Sequence, residues 1–296
     1  MSLPSWIKKR APKEKILGEM KHLLRSLSLH TVCEEARCPN IGECFAKKTA
    51  TFMILGNRCT RNCRFCAVEA GSPPPPDLSE PENVARAVNR LSLRYVVITS
   101  VTRDDLPDGG ASQFARTIKE IRKINNGGIR IEILVPDFKG SLSSLKAVIE
   151  ARPNVLNHNL ETVPRFYRTV RPKADYSRSL KLLRRSKEMN SRIYTKSGLM
   201  VGLGEEFGEV VEVMKDLRDV GCNILTLGQY LRPSPEHLEV KEFVKPEKFK
   251  EYETIARSLG FSCVAASPFV RSSYQAKEAL MKIKGEPHKQ RSKDLG

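Results

Sequence analysis

Apolar and polar positions along the chain alternate between two periods. Short runs rich in β-branched and apolar residues recur at 51–55, 95–100, 130–135, 155–159, 194–201, 223–228 and 261–266. Several are apolar on both faces, the pattern of a parallel strand covered from two sides. Between them lie longer stretches at 80–91, 112–124, 141–151, 177–189, 206–219 and 246–259, whose apolar residues recur at helical spacing. Strand and helix in turn predict a βα-repeat fold with a parallel sheet. A barrel or partial barrel ranks ahead of an open doubly wound sheet, because no dinucleotide-binding glycine fingerprint follows the first strand. A barrel places its chemistry at the C-terminal ends of its strands. Those ends carry Thr99-Ser100, Pro136-Asp137, Asn157-His158-Asn159 and Gln229-Tyr230. The run Ser72-Pro73-Pro74-Pro75-Pro76 reads as a stiff surface connection and not a domain boundary, since the alternation resumes directly after it. No repeat of fixed period stands out.

Composition narrows the class. The chain has 296 residues, 40% of them hydrophobic, which suits a large core and argues against extensive disorder. No apolar run reaches the roughly 18 residues a membrane span needs. The first fifteen residues lack the apolar stretch of a secretory signal and carry Lys8, Lys9, Arg10, Lys13 and Lys15. They read as a basic, partly ordered arm, and Glu14 and Glu19 argue against an organelle-targeting segment. Lys and Arg total 51 against 34 Asp and Glu, a net charge of +17. Such a balance favours an acidic partner, be it nucleic acid, an anionic membrane or a protein; a generally basic surface is the plainer account. The excess is densest between Arg165 and Lys196, with eleven basic residues against Asp175 and Glu188. There Arg178, Lys181 and Arg185 fall at helical spacing and can share one face. A solvated helix face is the plain alternative.

The cysteines point to specific chemistry. Six of the eight lie between Cys33 and Cys66, too clustered for the disulfide framework of a small secreted domain. Cys222 and Cys263 sit in apolar runs and read as packing residues. The sharper cluster is Cys59-Thr60-Arg61-Asn62-Cys63-Arg64-Phe65-Cys66, directly after the first predicted strand. Three thiolates on a tight loop can hold three corners of a cubane four-iron cluster and leave the fourth iron open. An open metal position means chemistry. Structural zinc, the alternative, wants four ligands, commonly in two pairs, and fits poorly. A second set, Cys33, Cys38 and Cys44, lies ahead of the barrel and must fold over one of its ends. By itself that set is equally consistent with a structural metal knot.

The spacing of Cys59, Cys63 and Cys66, with Phe65 before the last, resembles the radical S-adenosylmethionine superfamily. The run Cys33-Glu34-Glu35-Ala36-Arg37-Cys38-Pro39-Asn40-Ile41-Gly42-Glu43-Cys44 resembles the lipoyl synthase family within it. Further matches are Ser100 to Ala111, Asn157-His158-Asn159-Leu160-Glu161, Val170 to Tyr176, Lys196 to Glu205, Thr226 to Ser234 and Arg271-Ser272-Ser273-Tyr274. The resemblance runs from about Val32 to about Ala276. Departures are small: Phe45 stands where tryptophan is common, and the proline run is longer than expected.

The resemblance implies an α/β fold, a partial TIM-type (β/α)6 barrel with N-terminal and C-terminal extensions over its mouth. The chain then divides into 1–48, 49–268 and 269–296. It implies two 4Fe-4S clusters. One, on Cys59, Cys63 and Cys66, binds S-adenosylmethionine as co-substrate. The auxiliary one, on Cys33, Cys38, Cys44 and Ser272, gives up sulfur. Ser273 is the less favoured fourth ligand; a helix N-cap is the ordinary role for either serine. Asp108, Gly109 and Gly110 are expected near the methionyl amino group, and Asn159, Glu161 and Arg171 at other parts of S-adenosylmethionine. A lone His158 is expected to be structural. The implied substrate is an octanoyl chain on a lysine of a lipoyl carrier domain, either an acyltransferase subunit of a 2-oxoacid dehydrogenase or the glycine-cleavage H protein. An electron-transfer protein supplies electrons, no nucleic acid takes part, no membrane span is expected, and the setting is cytoplasmic. Two rivals fit less well. A tRNA methylthiotransferase usually carries an extra nucleic-acid domain, and a two-cluster electron carrier closes each cluster with four cysteines.

Overall fold

The computed structural model describes residues 3–8, 14–47, 49–125 and 128–283. Residues beyond 283 lie outside the described residues, as do Lys9, Arg10 and Lys13 of the basic arm.

The expected arm is in part a helix, α1 (Glu14–Ser26). Met20 and Leu24 are buried on one of its faces, with Leu17 and Leu23 packed beside them. The basic composition hides this short apolar stripe. A two-residue strand β1 (His30–Thr31) follows, then two short helices, α2 (Val32–Glu35) and α3 (Ile41–Ala46). Thr31 caps α2 by accepting the Glu34 amide.

The first long-range strand, β2 (Thr51–Ile54), pairs antiparallel with β1 and parallel with β5 (Tyr95–Ser100). Between them lie a small parallel pair, β3 (Arg58–Cys59) and β4 (Glu69–Ala70), and helix α4 (Glu80–Arg90). The alternation then runs through α5 (Ala111–Ile124), β6 (Arg130–Leu134), α6 (Leu142–Glu150), β7 (Val155–Asn157), the short α7 (Tyr167–Val170), α8 (Tyr176–Met189), β8 (Tyr194–Val201), α9 (Phe207–Asp219), β9 (Ile224–Gln229), α10 (Pro246–Ser258) and β10 (Cys263–Ala266). Helix α11 (Ala276–Ile283) follows. The sheet order is β1-β2-β5-β6-β7-β8-β9-β10, parallel throughout except at β1. Among the described residues β10 pairs only with β9, so the sheet curves without closing. Six strand–helix units and a seventh parallel strand make a partial barrel, as the periodicity predicts.

The barrel interior is not uniformly apolar. Lys196 Nζ meets Glu132 Oε1 at 2.8 Å with both side chains 1% exposed, and the Tyr95 hydroxyl donates to Glu132 at 2.5 Å. Charges this deep are tolerated only when paired. Below this network α11 packs Ala276 and Leu280 against Tyr95, Val155, Ile224 and Cys263, close to where their strands begin. The C-terminal extension therefore does not lie wholly over the mouth: α11 stoppers the opposite end, because its apolar face matches the apolar strand starts there. Cys222 and Cys263 are buried in these cores, as their apolar surroundings predict.

Candidate active site

A cavity of about 490 Å³ opens at the C-terminal ends of the strands. Its wall contains all six clustered cysteines, Cys33, Cys38, Cys44, Cys59, Cys63 and Cys66, together with Ser272. These residues come from three segments, the last of them more than 200 positions beyond the other two.

The Cys59 loop is pinned on several sides. Cys59 Sγ accepts the Arg61 and Thr102 amides at 3.4 and 3.3 Å. Thr60 exchanges hydrogen bonds with the Thr102 carbonyl and the Asp104 amide. The Arg61 guanidinium, 5% exposed, forks onto Asp104 at 2.7 and 3.0 Å and reaches Asp137 at 2.6 Å. The Arg64 amide donates to the Val170 carbonyl, and His237 Nε2 lies 3.0 Å from the Cys66 carbonyl oxygen. Burial pushes the Cys66 thiol up to about 12 and raises Cys63, although Arg171 and Arg61 oppose the rise at Cys63. Cys33 is pushed up to about 12 by burial, against the Thr51 amide. Such thiols are neutral by themselves; metal charge is what turns a buried thiol into a thiolate. Among the described residues no three His, Cys, Asp or Glu side chains converge on one point as a single ion requires. Thiols spaced around a cavity suit a multi-iron cluster, which is wider than an ion.

A clasp between the N-terminal and C-terminal segments holds Cys33, Cys38 and Cys44 against Ser272. Asn40 Nδ2 donates to the Phe269 carbonyl at 2.8 Å, and the Tyr274 hydroxyl donates to the Glu43 carboxylate at 3.0 Å. Asn40 and Glu43 stand inside the first cysteine motif, Tyr274 ends the Arg-Ser-Ser-Tyr motif, and the clasp brings Ser272 to the same wall as Cys38 and Cys44. Sequence reasoning assigned no role to Asn40 or Glu43. Helix α11 starts at Ala276, so neither Ser272 nor Ser273 caps it. Gly228 in β9 is also required: a β-carbon there would overlap the Val270 carbonyl oxygen. We expect Gly228→Ala to destabilise the fold by roughly 1–3 kcal/mol and to loosen the 267–274 segment. Thermal unfolding together with proteolysis of that segment checks this.

Beyond β7 the chain turns sharply. Glu161 takes a left-handed φ of 67°, rare outside glycine, and pairs with Gly198 and Leu199 of β8. Its carboxylate accepts from Asn159 Nδ2 at 2.9 Å; burial raises its affinity for a proton, while Arg171 and Asn159 oppose that. Arg171 Nη1 donates to the Asn159 and Leu160 carbonyls at 2.9 Å. Ser100 Oγ, His158 Nε2, Asn159 Oδ1 and Arg171 Nε are buried at the cavity wall without a hydrogen-bond partner among the described residues. Burial lowers His158 to about 4, and its Nδ1 lies 2.8 Å from the Val135 carbonyl, so Nδ1 carries the proton and Nε2 presents a lone pair. Several unsatisfied polar atoms around one cavity fit a polar ligand in the cavity.

Asp108, Gly109 and Gly110 are not brought to the cavity. Asp108 accepts the Gly110 and Ser112 amides at 2.9 and 2.7 Å and so starts α5. Gly110, with φ 89°, leaves room for Leu55. Their spacing, which suggests a ligand loop, is accounted for by this helix start.

The model of the Radical SAM superfamily matches residues 53–217, and that of the N-terminal domain of lipoyl synthase matches residues 1–38. The chain is 59% identical over 282 residues to a lipoyl synthase of Caldanaerobacter subterraneus subsp. tengcongensis, covering 95% of this chain and 98% of the relative. The chain belongs to the lipoyl synthase family. A lipoyl synthase of Caldicellulosiruptor saccharolyticus is 56% identical, with 93% and 96% covered. Among solved structures, methylornithine synthase (PylB) superposes with a TM-score of 0.53 at 12% identity, over 92% of this chain and 96% of that one. SuiB of Streptococcus suis, bound to its precursor peptide, gives a TM-score of 0.55 at 14% identity, over 86% and 61%. These distant structures show the shared fold of the radical S-adenosylmethionine barrel. As a radical S-adenosylmethionine lipoyl synthase, a member of this family uses S-adenosylmethionine and a 4Fe-4S cluster.

Proposed function

We propose that this chain converts an octanoyl group, held in amide linkage on a lysine of a lipoyl carrier domain, into the lipoyl group by placing sulfur at carbons 6 and 8. The observation that carries the reading is the single cavity whose wall contains both cysteine triplets and Ser272. Cys59, Cys63 and Cys66 are the ligands of the cluster that meets S-adenosylmethionine, and Cys33, Cys38, Cys44 and Ser272 those of the auxiliary cluster. When bound, these groups supply the electron that opens the sulfonium to a hydrogen-abstracting radical, and the sulfur itself. A serine oxygen is a harder, weaker partner for iron than a thiolate, which suits a cluster that is dismantled in use.

The residues around them position, hold charge and exclude water. Arg61, fixed by Asp104 and Asp137, sets the height of the Cys59 loop over the strand ends. Asn159, Glu161 and Arg171 offer acceptor and donor groups to the amino acid and nucleoside parts of S-adenosylmethionine. Met53, Val101, Val135 and Leu199 give the cavity apolar wall for an acyl chain. Wall residues between 32 and 44 and the 270–274 segment close it from outside the barrel, keeping water from a reactive intermediate and the target carbon in near contact. Electrons come from a reducing electron-transfer protein, and the carrier is an acyltransferase subunit of a 2-oxoacid dehydrogenase or the glycine-cleavage H protein.

The test is anaerobic reconstitution with iron and sulfide, followed by S-adenosylmethionine, a reductant and an octanoylated carrier domain. Intact-mass analysis should show a carrier heavier by two sulfur atoms. 5′-Deoxyadenosine formed without any sulfur-bearing carrier would refute the substrate while keeping the radical chemistry.

A further inference from the structure

Next to the main cavity lies a second concavity of about 300 Å³, and Asp137 belongs to the wall of both. It is built at the same end of the barrel, between the first turns of α6 and α8. Arg178, Lys181 and Arg185 point into it from α8. The acidic groups facing it are Asp137 and Asp175. Asp137 is engaged by Arg61 on one oxygen and by Arg178, at 3.2 Å, on the other. Asp175 caps α8 by accepting the Arg178 amide at 2.6 Å and the Ser177 hydroxyl at 2.8 Å. Arg185 gives one bond to the Gly140 carbonyl, and exposed Lys181 makes no hydrogen bond or ion pair among the described residues. On the strip between the two cavities, Lys139 and Lys173 reach the Asp104 and Thr60 carbonyls. Both carboxylates here are thus engaged by the protein's own groups, while Lys181 is left unpaired among the described residues beside Arg185, which has a single bond.

We propose that this concavity is the docking point for acidic side chains on the carrier protein, holding that protein beside the main cavity while its acylated lysine reaches in. The inference rests on the reaction proposed above and adds where the carrier is gripped. Two considerations carry it. Its wall sets three cations, Arg178, Lys181 and Arg185, against two carboxylates already engaged by the protein, in a bounded pocket and not a long track, which suits carboxylate side chains better than a phosphate backbone. The shared wall residue places any occupant inside the footprint of a protein whose lysine enters the main cavity.

The experiment compares wild type with Lys181→Glu/Arg185→Glu, and with the milder Lys181→Ala, on two substrates: an octanoylated carrier domain and a short neutral peptide carrying octanoyl-lysine. Carrier affinity, read by titration calorimetry, should fall at least about tenfold in the double variant, with a flatter salt dependence than wild type. 5′-Deoxyadenosine formation with the peptide should stay at the wild-type rate, which also reports that the variant is folded. If the double variant misfolds, Lys181→Ala gives the answer: a carrier affinity two- to threefold weaker supports the proposal, and an unchanged one overturns it. Unchanged carrier affinity in the double variant overturns it equally. So does inorganic phosphate that binds at this pocket without competing with the carrier, since that marks a small-anion site. A wild type that yields no sulfur-bearing carrier but still binds it through Lys181 and Arg185 would instead refute the proposed reaction and leave the docking point standing.

Discussion

Cys63→Ala is expected to reduce S-adenosylmethionine cleavage to background while leaving the fold intact. Cys63 stands at the cavity wall, raised by burial and faced by Arg171 and Arg61, in a loop whose backbone is held by Thr102, Val170 and His237. The loop keeps its anchors when one thiol is lost, so the effect falls on the metal and not on the scaffold. Iron and labile sulfide should drop from about eight of each per reconstituted chain to about four. Cys38→Ala should also lose about half its iron, yet still form 5′-deoxyadenosine and fail only in making the sulfur product. Iron analysis and chromatography of the nucleoside products separate the two roles. If Cys63→Ala and Cys38→Ala behave alike in nucleoside formation, the assignment of one triplet to each cluster is wrong.

Arg61→Met is expected to have the largest effect on stability, roughly 3–5 kcal/mol, because it leaves the buried Asp137 with Arg178 as its only ion-pair partner among the described residues, beside the Lys139 amide. Burial draws the Asp137 carboxyl up, but Arg61, helped by His158 and the Lys139 amide, holds it down at about 2, against an ordinary value of 3.8. A carboxylate lowered on folding adds stability that is complete above its unfolded value and is lost as pH falls through its folded value. In the wild type that loss runs from about pH 4 to about pH 2. In Arg61→Met the opposing cation is gone, the carboxyl rises, and the acid limb of the stability curve should begin at higher pH. Urea unfolding across the acid range reads both effects. An acid limb identical to wild type would show that Arg61 does not set the ionisation of Asp137. The same substitution frees the Cys59 loop from Asp104, so cleavage of S-adenosylmethionine should weaken even where the variant is folded.

Much of the fold is legible in the chain itself because strand and helix differ in the period of their apolar positions. The parallel strands and the six long helices fall where those periods place them, with ends shifted by one or two residues where caps such as Gly110, Ser141 and Asp175 decide the first turn. The cysteine spacings and the matches to the lipoyl synthase family are equally local, and they determine the class of chemistry. Helix α1 was hidden because a stripe of a few apolar residues is outweighed by the charges around it.

What local pattern does not carry is which distant segments meet. Asp108, Gly109 and Gly110 have the composition of a ligand loop, but the need to start α5 and to clear Leu55 uses them for the fold. Asn40 and Glu43 look like filler between cysteines until the curved sheet brings the two chain ends together and they clasp Phe269 and Tyr274. The Arg61–Asp137–Arg178 chain joins three segments that no spacing rule relates. The sequence by itself determined the elements and the kind of metal chemistry, since both are written in neighbouring residues. Only the tertiary structure decided that two cysteine triplets and Ser272 share one cavity, because closing long loops onto a common wall depends on the packing of the whole barrel.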